Sequence, residues 1–255
     1  MPTAQLPPGK VSYCTTCKNR LWQLSETLPD NLRRVVEAGN SEIVLVNYNS
    51  DDELDTWVRR FERHIESGIL RYLHQQTEPY FHASKAKNLA HLAATGQYLV
   101  NLDADNYIGD TIPTWRALWE EDPHLIIRGF SPNADGRLDP GNGSYGRIGL
   151  SRTAFDTLGG YDEGLLAMGC QDRDLVDRAR AHGMRVVRVD QRMPFAIRNT
   201  DAEKVKYTGS SLSWYDMWQE NIGRAEKNLR LGRLTVNQDR TPVKVLLNFS
   251  QVMEL

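Results

Sequence analysis

Two aspartates directly follow an apolar segment near the middle of the chain. Residues 96–109 read GQYLVNLDADNYIG, so a run of apolar side chains ends in Asp103, Asp105 and Asn106. Proteins often hold Mg²⁺ or Mn²⁺ through one or two carboxylates together with the phosphates of a substrate. An aspartate-rich turn whose side chains bond the backbone would give the same pattern. The short D-x-D motif therefore predicts a cation site only where other residues support it.

The segment that carries these aspartates is one of several strands that alternate with helices. Strand-like runs occur in VSYCTT, EIVLV, ILRYLHQ and QYLVN, and helical segments separate them. This alternation predicts a parallel sheet with helices on both faces. Ligands bind at the carboxyl ends of the strands in such sheets. Because VNYNSDD and LDADN both have polar residues at such ends, a ligand site is expected at one edge of the sheet.

Composition and charge exclude several classes of protein. The chain has 255 residues, of which 40% are hydrophobic and 25% are charged, as in globular proteins. Its net charge of −2 and its scattered basic residues do not favour binding to nucleic acid. No apolar stretch approaches the ~18 residues of a membrane helix, and MPTAQLPPGK lacks the apolar core of a secretion signal. We expect a cytoplasmic protein with no transmembrane segment and no nucleic-acid partner.

The segment ASKAKNLAHLAATGQYLVNLDADN resembles the one that precedes the D-x-D motif in glycosyltransferases of the GT-A fold, particularly family 2-like members. In that family a helix with small, basic and Asn residues leads to A-T-G, an apolar strand and L-D-A-D-D. VSYCTTCKNR and EIVLVNYNSDDELDTW resemble its first two strands and their loops. GRIGLSRTAFDTLGGYDEGLLAMGCQDRDLVDRA resembles its acceptor-side segment, which is also seen in beta-galactosyltransferases.

This resemblance implies an α/β protein with the GT-A fold, in which a mostly parallel, Rossmann-like central sheet is flanked by helices. Residues 1–255 would form a single domain, with a nucleotide-binding half at 1–110, an acceptor-side half at 111–200 and a C-terminal helix and tail at 201–255. The implied activity is that of a hexosyltransferase that uses Mn²⁺ or Mg²⁺. It would move a sugar from a UDP- or GDP-sugar to a hydroxyl of a carbohydrate or another acceptor.

The resemblance also implies roles for residues on the donor side. Asp105 would bind the cation, and Asp103 would face the ribose or share the cation. Asn47 lies where the family usually has an aspartate near the base. Lys87 would reach the base or a phosphate, unless it is a solvated surface lysine. The base and the pyrophosphate would be held by residues just after the first strand, namely Thr15, Thr16, Asn19 and Arg20.

On the acceptor side, Asp172 in GCQDRDL aligns with the acidic residue that acts as the base in inverting members. A carboxylate within reach of the acceptor hydroxyl can take its proton, and a helix N-terminus stabilises an anion. Asp172 as a helix-capping acid is the alternative interpretation. The position before it is usually Glu and here is Gln171, whose amide can bond an acceptor hydroxyl. Asp162 is expected either to touch the acceptor or to form a turn.

Other features leave alternatives open. Many relatives supply a His as a further metal ligand after the next strand, but DQRMPFAIRNT has none, which leaves Asn199 or water. Trp214, Tyr215 and Trp218 have helical spacing, which favours the core over a sugar platform. The glycines of DPGNGSYGR belong either to a loop over the donor or to a plain surface loop.

Two further functions compete with glycosyl transfer. A nucleotidyltransferase would also be an α/β protein with acidic metal ligands, but it needs a Gly-rich basic loop after the first strand, and CTTCKNR has no glycine. The second is a non-catalytic protein that binds a nucleotide or a sugar on the same scaffold. Asn47, Gln171 and the missing His, which depart from the family pattern, are consistent with it.

Overall fold

The computed structural model describes residues 8–130, 145–190 and 196–255. The strands in these ranges are β1 (Val11–Cys17), β2 (Ser41–Tyr48), β3 (Leu70–Gln75), β4 (Tyr98–Asn101), β5 (Ile126–Phe130), β6 (Ile148–Ser151), β7 (Val186–Asp190), β8 (Lys244–Leu247) and β9 (Gln251–Glu254). The α-helices are α1 (Leu21–Ala38), α2 (Leu54–Val58), α3 (Glu62–Glu66), α4 (Ala83–Ala93), α5 (Thr111–Glu121), α6 (Arg152–Leu158), α7 (Gln171–Ala181), α8 (Asp201–Val205) and α9 (Trp214–Arg230). None of the described helices has the length and apolar character needed to span a membrane.

These strands form one sheet in the order β7-β5-β6-β4-β1-β2-β3-β8-β9. The pairs β1–β2, β1–β4 and β2–β3 are parallel, as the strand–helix alternation predicts. Beyond this central part, β6 runs antiparallel to both β4 and β5, and β8 runs antiparallel to β3. The α/β class with a central sheet is therefore confirmed, and the sheet as a whole is mixed.

Alternation along β2 shows why the centre of the sheet is buried on both faces. Ile43 and Leu45 belong to the same apolar cluster as Leu28 of α1. The intervening residues Val44 and Val46 belong to a second cluster, which includes Ala90 of α4. Because successive side chains of a strand point to opposite faces, the continuous apolar run of β2 lies between two helical layers.

The register of the sheet brings the carboxyl ends of β1 and β4 side by side. Cys14 of β1 lies opposite Asn101, the last residue of β4. The amide of Leu102 donates to the carbonyl of Cys14 at 2.9 Å, which extends the pairing by one step. The aspartates that follow β4 therefore lie beside the last residues of β1, at the edge predicted for a ligand.

Candidate active site

Helix α1 fixes the loop that carries Asp103 and Asp105. The amide of Asn106 donates to the carbonyl of Asp103 at 2.9 Å and closes a turn. From α1, the Thr27 hydroxyl donates to the Ala104 carbonyl at 2.6 Å, and Asn31 Nδ2 donates to the Asn106 carbonyl at 2.9 Å. These bonds satisfy buried backbone oxygens, so the two carboxylates are held on a rigid turn.

Asp105 is a carboxylate in a nearly buried position. Asn106 Nδ2 donates to its Oδ1 and Asn199 Nδ2 donates to its Oδ2, each at 2.5 Å. Burial, together with the nearby charge of Asp103, raises the pKa of Asp105 to about 6. A cation placed between Asp103 and Asp105 would relieve both effects.

Asn199 is held by a side chain of α1 and by Arg20, the residue that precedes α1. Its Oδ1 accepts from Gln23 Nε2 at 2.7 Å and from Arg20 Nη1 at 3.2 Å. Arg20 Nη2 also donates to the carbonyl of Glu203 at 2.7 Å. Asn199 therefore presents its amide nitrogen, not its oxygen, to Asp105.

Lys87 of α4 lies between two acids. Its Nζ donates to Asp172 Oδ1 at 2.7 Å and lies 3.5 Å from Asp103 Oδ1. Burial by itself would lower the pKa of Lys87, but the charges of Asp103 and Asp172 outweigh burial and raise it. The lysine is therefore a buried ammonium that links the loop after β4 to the start of α7.

The start of α7 is shaped by residues that precede Asp172. Cys170 adopts a left-handed conformation, with φ of 72°, and Gly169 has φ of 93°. The Gln171 side chain is buried, and its Nε2 donates to the carbonyl of Leu166 at 2.9 Å. These local bonds leave Asp172 in the first turn of α7, where free backbone amides favour an anion.

Gly146 separates the two acids that flank Lys87. A Cβ atom at this position would lie 2.6 Å from Asp103 Oδ2 and 3.2 Å from Asp172 Oδ2. Its carbonyl accepts a hydrogen bond from Asn101 Nδ2 at 2.8 Å, which fixes the backbone. The absence of a side chain at residue 146 keeps the space between the acids open.

These groups share one cavity of about 690 Å³, which has the size of a small-molecule site. Asp103, Asp105, Lys87 and Asp172 all line it. Its other lining residues include Thr16, Lys18, Arg20, Gln23, Gly146, Gln171, Arg173, Arg198, Asn199, Trp214 and Trp218.

Sequence comparison assigns the chain to a family. The model of glycosyl transferase family 2 matches residues 12–160, which is more than half of the chain. The chain belongs to glycosyl transferase family 2. A second model, the N-terminal domain of galactosyltransferase, matches residues 141–200. None of the curated proteins matches the chain.

Solved structures share the fold of this family 2 chain at low identity. A structure of S. aureus TarS in complex with UDP-GlcNAc is 16% identical with a TM-score of 0.64, and the match covers 82% of this chain and 64% of that one. Our chain thus spans less than two thirds of that TarS chain. A mannosyltransferase from Pyrobaculum calidifontis, with GDP-Man and Mn²⁺, is 17% identical with a TM-score of 0.56 and coverages of 87% and 70%. GalNAc-T7 with UDP, GalNAc and Mn²⁺ is 17% identical with a TM-score of 0.64 and coverages of 86% and 47%.

The cavity of this family 2 protein contains seven of the eleven residues selected from the sequence. Those that line it are Thr16, Arg20, Lys87, Asp103, Asp105, Gln171 and Asp172. The other four lie outside the cavity lining, namely Thr15, Asn19, Asn47 and Asp162. Of the glycine-rich segment 139–147, residues 139–144 lie outside the described residues, whereas Tyr145 and Gly146 line the cavity.

Asn47 and Asp162, two of the four residues outside the lining, are held by hydrogen bonds within the protein. Asn47 is buried, donates to the Tyr72 hydroxyl at 2.8 Å and accepts from the amide of Ser50 at 2.9 Å. Asp162 accepts from the amide of Gly164 at 2.8 Å, in the turn that the sequence left open. Both side chains are therefore engaged in hydrogen bonds with other residues of the chain.

Thr15 and Asn19 complete this outlying set. Thr15 is buried in β1. Asn19 has φ of 53°, and its side-chain Oδ1 accepts a hydrogen bond from the backbone amide of Asp51 at 2.6 Å. Asn19 therefore joins the loops after β1 and β2.

The cavity also contains residues that sequence reasoning did not select. Lys18 Nζ donates to the carbonyls of Tyr48 and Asn49, so it braces the loop after β2 from the cavity wall. Trp214 and Trp218 line the cavity instead of the core. Their helical spacing favoured the core, but residues four apart share a helix face whatever that face contacts, so the spacing does not locate them.

The carboxylate oxygens of Asp103 and Asp105 suit a divalent cation whose remaining ligands come from a substrate. In the part of the chain that the structure describes, no group of three or more His, Cys, Asp or Glu side chains could hold a metal. Two carboxylates with remaining oxygen lone pairs suit Mg²⁺ or Mn²⁺ when phosphate oxygens and water supply the other ligands.

Proposed function

We propose that this protein transfers a hexosyl group from a nucleotide-diphosphate sugar to a hydroxyl group. The observation that carries the proposal is the convergence of Asp103, Asp105, Lys87 and Asp172 on one cavity at the carboxyl edge of the sheet. Membership of glycosyl transferase family 2 supports the same reaction class.

On the donor side, Asp105 and Asp103 would hold Mg²⁺ or Mn²⁺, as the burial of Asp105 and its repulsion from Asp103 favour. When bound, such an ion neutralises charge on a diphosphate leaving group. Arg20 and Arg198 are two of the cationic side chains that line the cavity, and they would bind the phosphates. UDP- and GDP-sugars are the donors to test, since structural neighbours of this fold contain UDP-GlcNAc and GDP-Man.

On the acceptor side, Asp172 would remove the hydroxyl proton. The acceptor oxygen attacks the anomeric carbon, the bond from that carbon to the phosphate oxygen breaks, and the nucleoside diphosphate leaves with the electron pair. Attack opposite the leaving group inverts the anomeric configuration. Lys87 donates its hydrogen bond to Oδ1 of Asp172, so Oδ2 is the oxygen that would accept the proton of the acceptor hydroxyl.

Release of UDP or GDP from a panel of nucleotide sugars tests this proposal. We expect donor hydrolysis by the wild type that requires Mn²⁺ or Mg²⁺, and a loss of at least about 100-fold in Asp172→Asn. Asp177→Asn is the matched control, because Asp177 lies on the same helix, pairs with Arg173 and lies outside the cavity lining. Nucleotide binding without turnover, unchanged by Asp172→Asn, would identify a non-catalytic binder instead.

A further inference from the structure

We propose that Trp214 and Trp218 of α9 form the surface on which the sugar ring of a carbohydrate acceptor packs. This inference rests on the proposed function and names the acceptor class of the same cavity.

The two rings form an aromatic surface in the cavity wall. Their centroids are 6.0 Å apart and their planes differ by 16°. Both side chains are only partly buried, whereas Met217, Asn221 and Ala225 form the buried face of α9. Because both rings are partly exposed and line the cavity, they are accessible to a ligand bound there.

The surface lies close to the proposed base. A Cβ atom at Gly169 would lie 3.1 Å from both the Cα and the Cβ of Trp218, so the two backbones are in contact. Gly169 is three residues before Asp172. A group that packs on Trp218 is therefore brought to the start of α7, where Asp172 faces the same cavity.

Asn221 holds α9 against the loop before α7. This fully buried side chain donates from Nδ2 to the carbonyls of Met168 and Gly169, at 3.1 and 2.7 Å. Its Oδ1 accepts from the amide of Leu166 at 2.6 Å. With both ends of the amide engaged, the position of Trp218 relative to α7 is fixed before any ligand binds.

The polar groups around the rings indicate which ligand fits them. Asp201, Lys204 and Arg173 also line the cavity, and Lys204 Nζ lies over the Trp214 ring, 4.7 Å from its centroid. A pyranose has an apolar face of C–H groups and an edge of hydroxyls that both donate and accept hydrogen bonds. An aromatic wall with a charged rim matches that shape, whereas an alkyl chain would leave the rim charges poorly solvated.

Transfer kinetics with simple glycosides test the inference. The acceptors are p-nitrophenyl β-glycosides of glucose, galactose and N-acetylglucosamine, and the donor is the nucleotide sugar that the wild type hydrolyses. We expect Trp218→Ala and Trp214→Ala each to raise the acceptor KM by about tenfold. The KM for the nucleotide sugar is expected to change less than the acceptor KM. Trp218→Phe, which keeps an aromatic face, is expected to restore most of the affinity.

Trp22→Ala is the matched control, since Trp22 is 54% exposed on α1 and lies outside the cavity lining. A second readout, quenching of tryptophan fluorescence by the methyl β-glycosides of the same sugars, needs no turnover and is expected to weaken in Trp214→Ala and Trp218→Ala. Unchanged acceptor KM and quenching in both variants would overturn the inference, as would preferred transfer to a lipid alcohol. If the wild type hydrolyses no donor but the two tryptophans still mediate glycoside quenching, the proposed transfer fails while the sugar surface stands.

Discussion

The ammonium of Lys87 donates a 2.7 Å hydrogen bond to Asp172 Oδ1. The same nitrogen lies 3.5 Å from Asp103, so one buried cation links the proposed cation-binding loop to the proposed base. The Lys87 side chain is only 8% exposed, whereas those of Asp172 and Asp103 are 22% and 36% exposed, so water reaches the acids but little of the ammonium.

We predict that Lys87→Met lowers kcat for sugar transfer by about 100-fold. Without the lysine, Asp103 and Asp172 face each other without a shared partner, and Asp172 loses the bond that orients it. Steady-state kinetics with the active donor measure the effect. Lys85→Met is the control, since Lys85 lies on the same helix, pairs with Glu78 and lies outside the site cavity. Equal activity of the two variants would contradict an active-site role for Lys87.

Replacement of Gly146 is predicted to block the site without unfolding the protein. The Cβ of Gly146→Ala would meet Asp103 Oδ2 at 2.6 Å, and Gly146→Val would fill more of the space beside Asp172. We expect transfer to fall by at least about tenfold in the alanine variant and further in the valine variant. Gly223→Ala in α9, where a Cβ meets no atom within 4 Å, is expected to retain activity. Thermal denaturation separates a blocked site from a misfolded chain.

His91 is predicted to make stability fall in acid. It lies stacked 5.1 Å from Phe155, and its Nδ1 bonds the Lys87 carbonyl at 2.7 Å. Burial, with a further contribution from the charge of Lys87, lowers its pKa to about 3. Below the unfolded-state pKa of about 6.5, the unfolded chain binds the proton and the folded chain does not, so unfolding becomes easier as pH falls from 6.5 to 3.

Urea denaturation at several pH values measures this contribution. The loss from one such group is at most about 1.4 kcal/mol of unfolding free energy per pH unit in that window. We expect the curve of His91→Leu to be flatter than that of wild type between pH 6.5 and 4. His124→Gln, at an exposed position, serves as the control. A His91→Leu curve parallel to wild type would show that other groups dominate acid unfolding.

The sequence predicted the site residues that follow directly from a strand end, and it did not predict the partners that depend on where a side chain points. Asp103 and Asp105 could be assigned to a ligand edge because they follow a strand of a parallel sheet. Asn47, also at a strand end, instead bonds Tyr72 of the neighbouring strand, and no pattern within one strand reveals that partner. Trp214 and Trp218 show the same limit, since the helical period defines a face but not what lies opposite it.

Asn199 provides the last prediction, because it stands where a metal ligand is expected from the family resemblance but gives Asp105 a hydrogen-bond donor at 2.5 Å. In Asn199→Asp that donor is replaced by a third negative charge beside Asp103 and Asp105. Without metal, the repulsion among these carboxylates is expected to lower Tm by several degrees. With Mn²⁺ bound, the added carboxylate becomes a ligand, so Mn²⁺ should raise Tm more in this variant than in wild type. Asn40→Asp, at an exposed turn far along the chain from this site, controls for the added charge. If Mn²⁺ raises the Tm of Asn199→Asp no more than that of Asn40→Asp, the cation does not bind at Asp105. The arginines that line the cavity would then be the groups that hold the diphosphate.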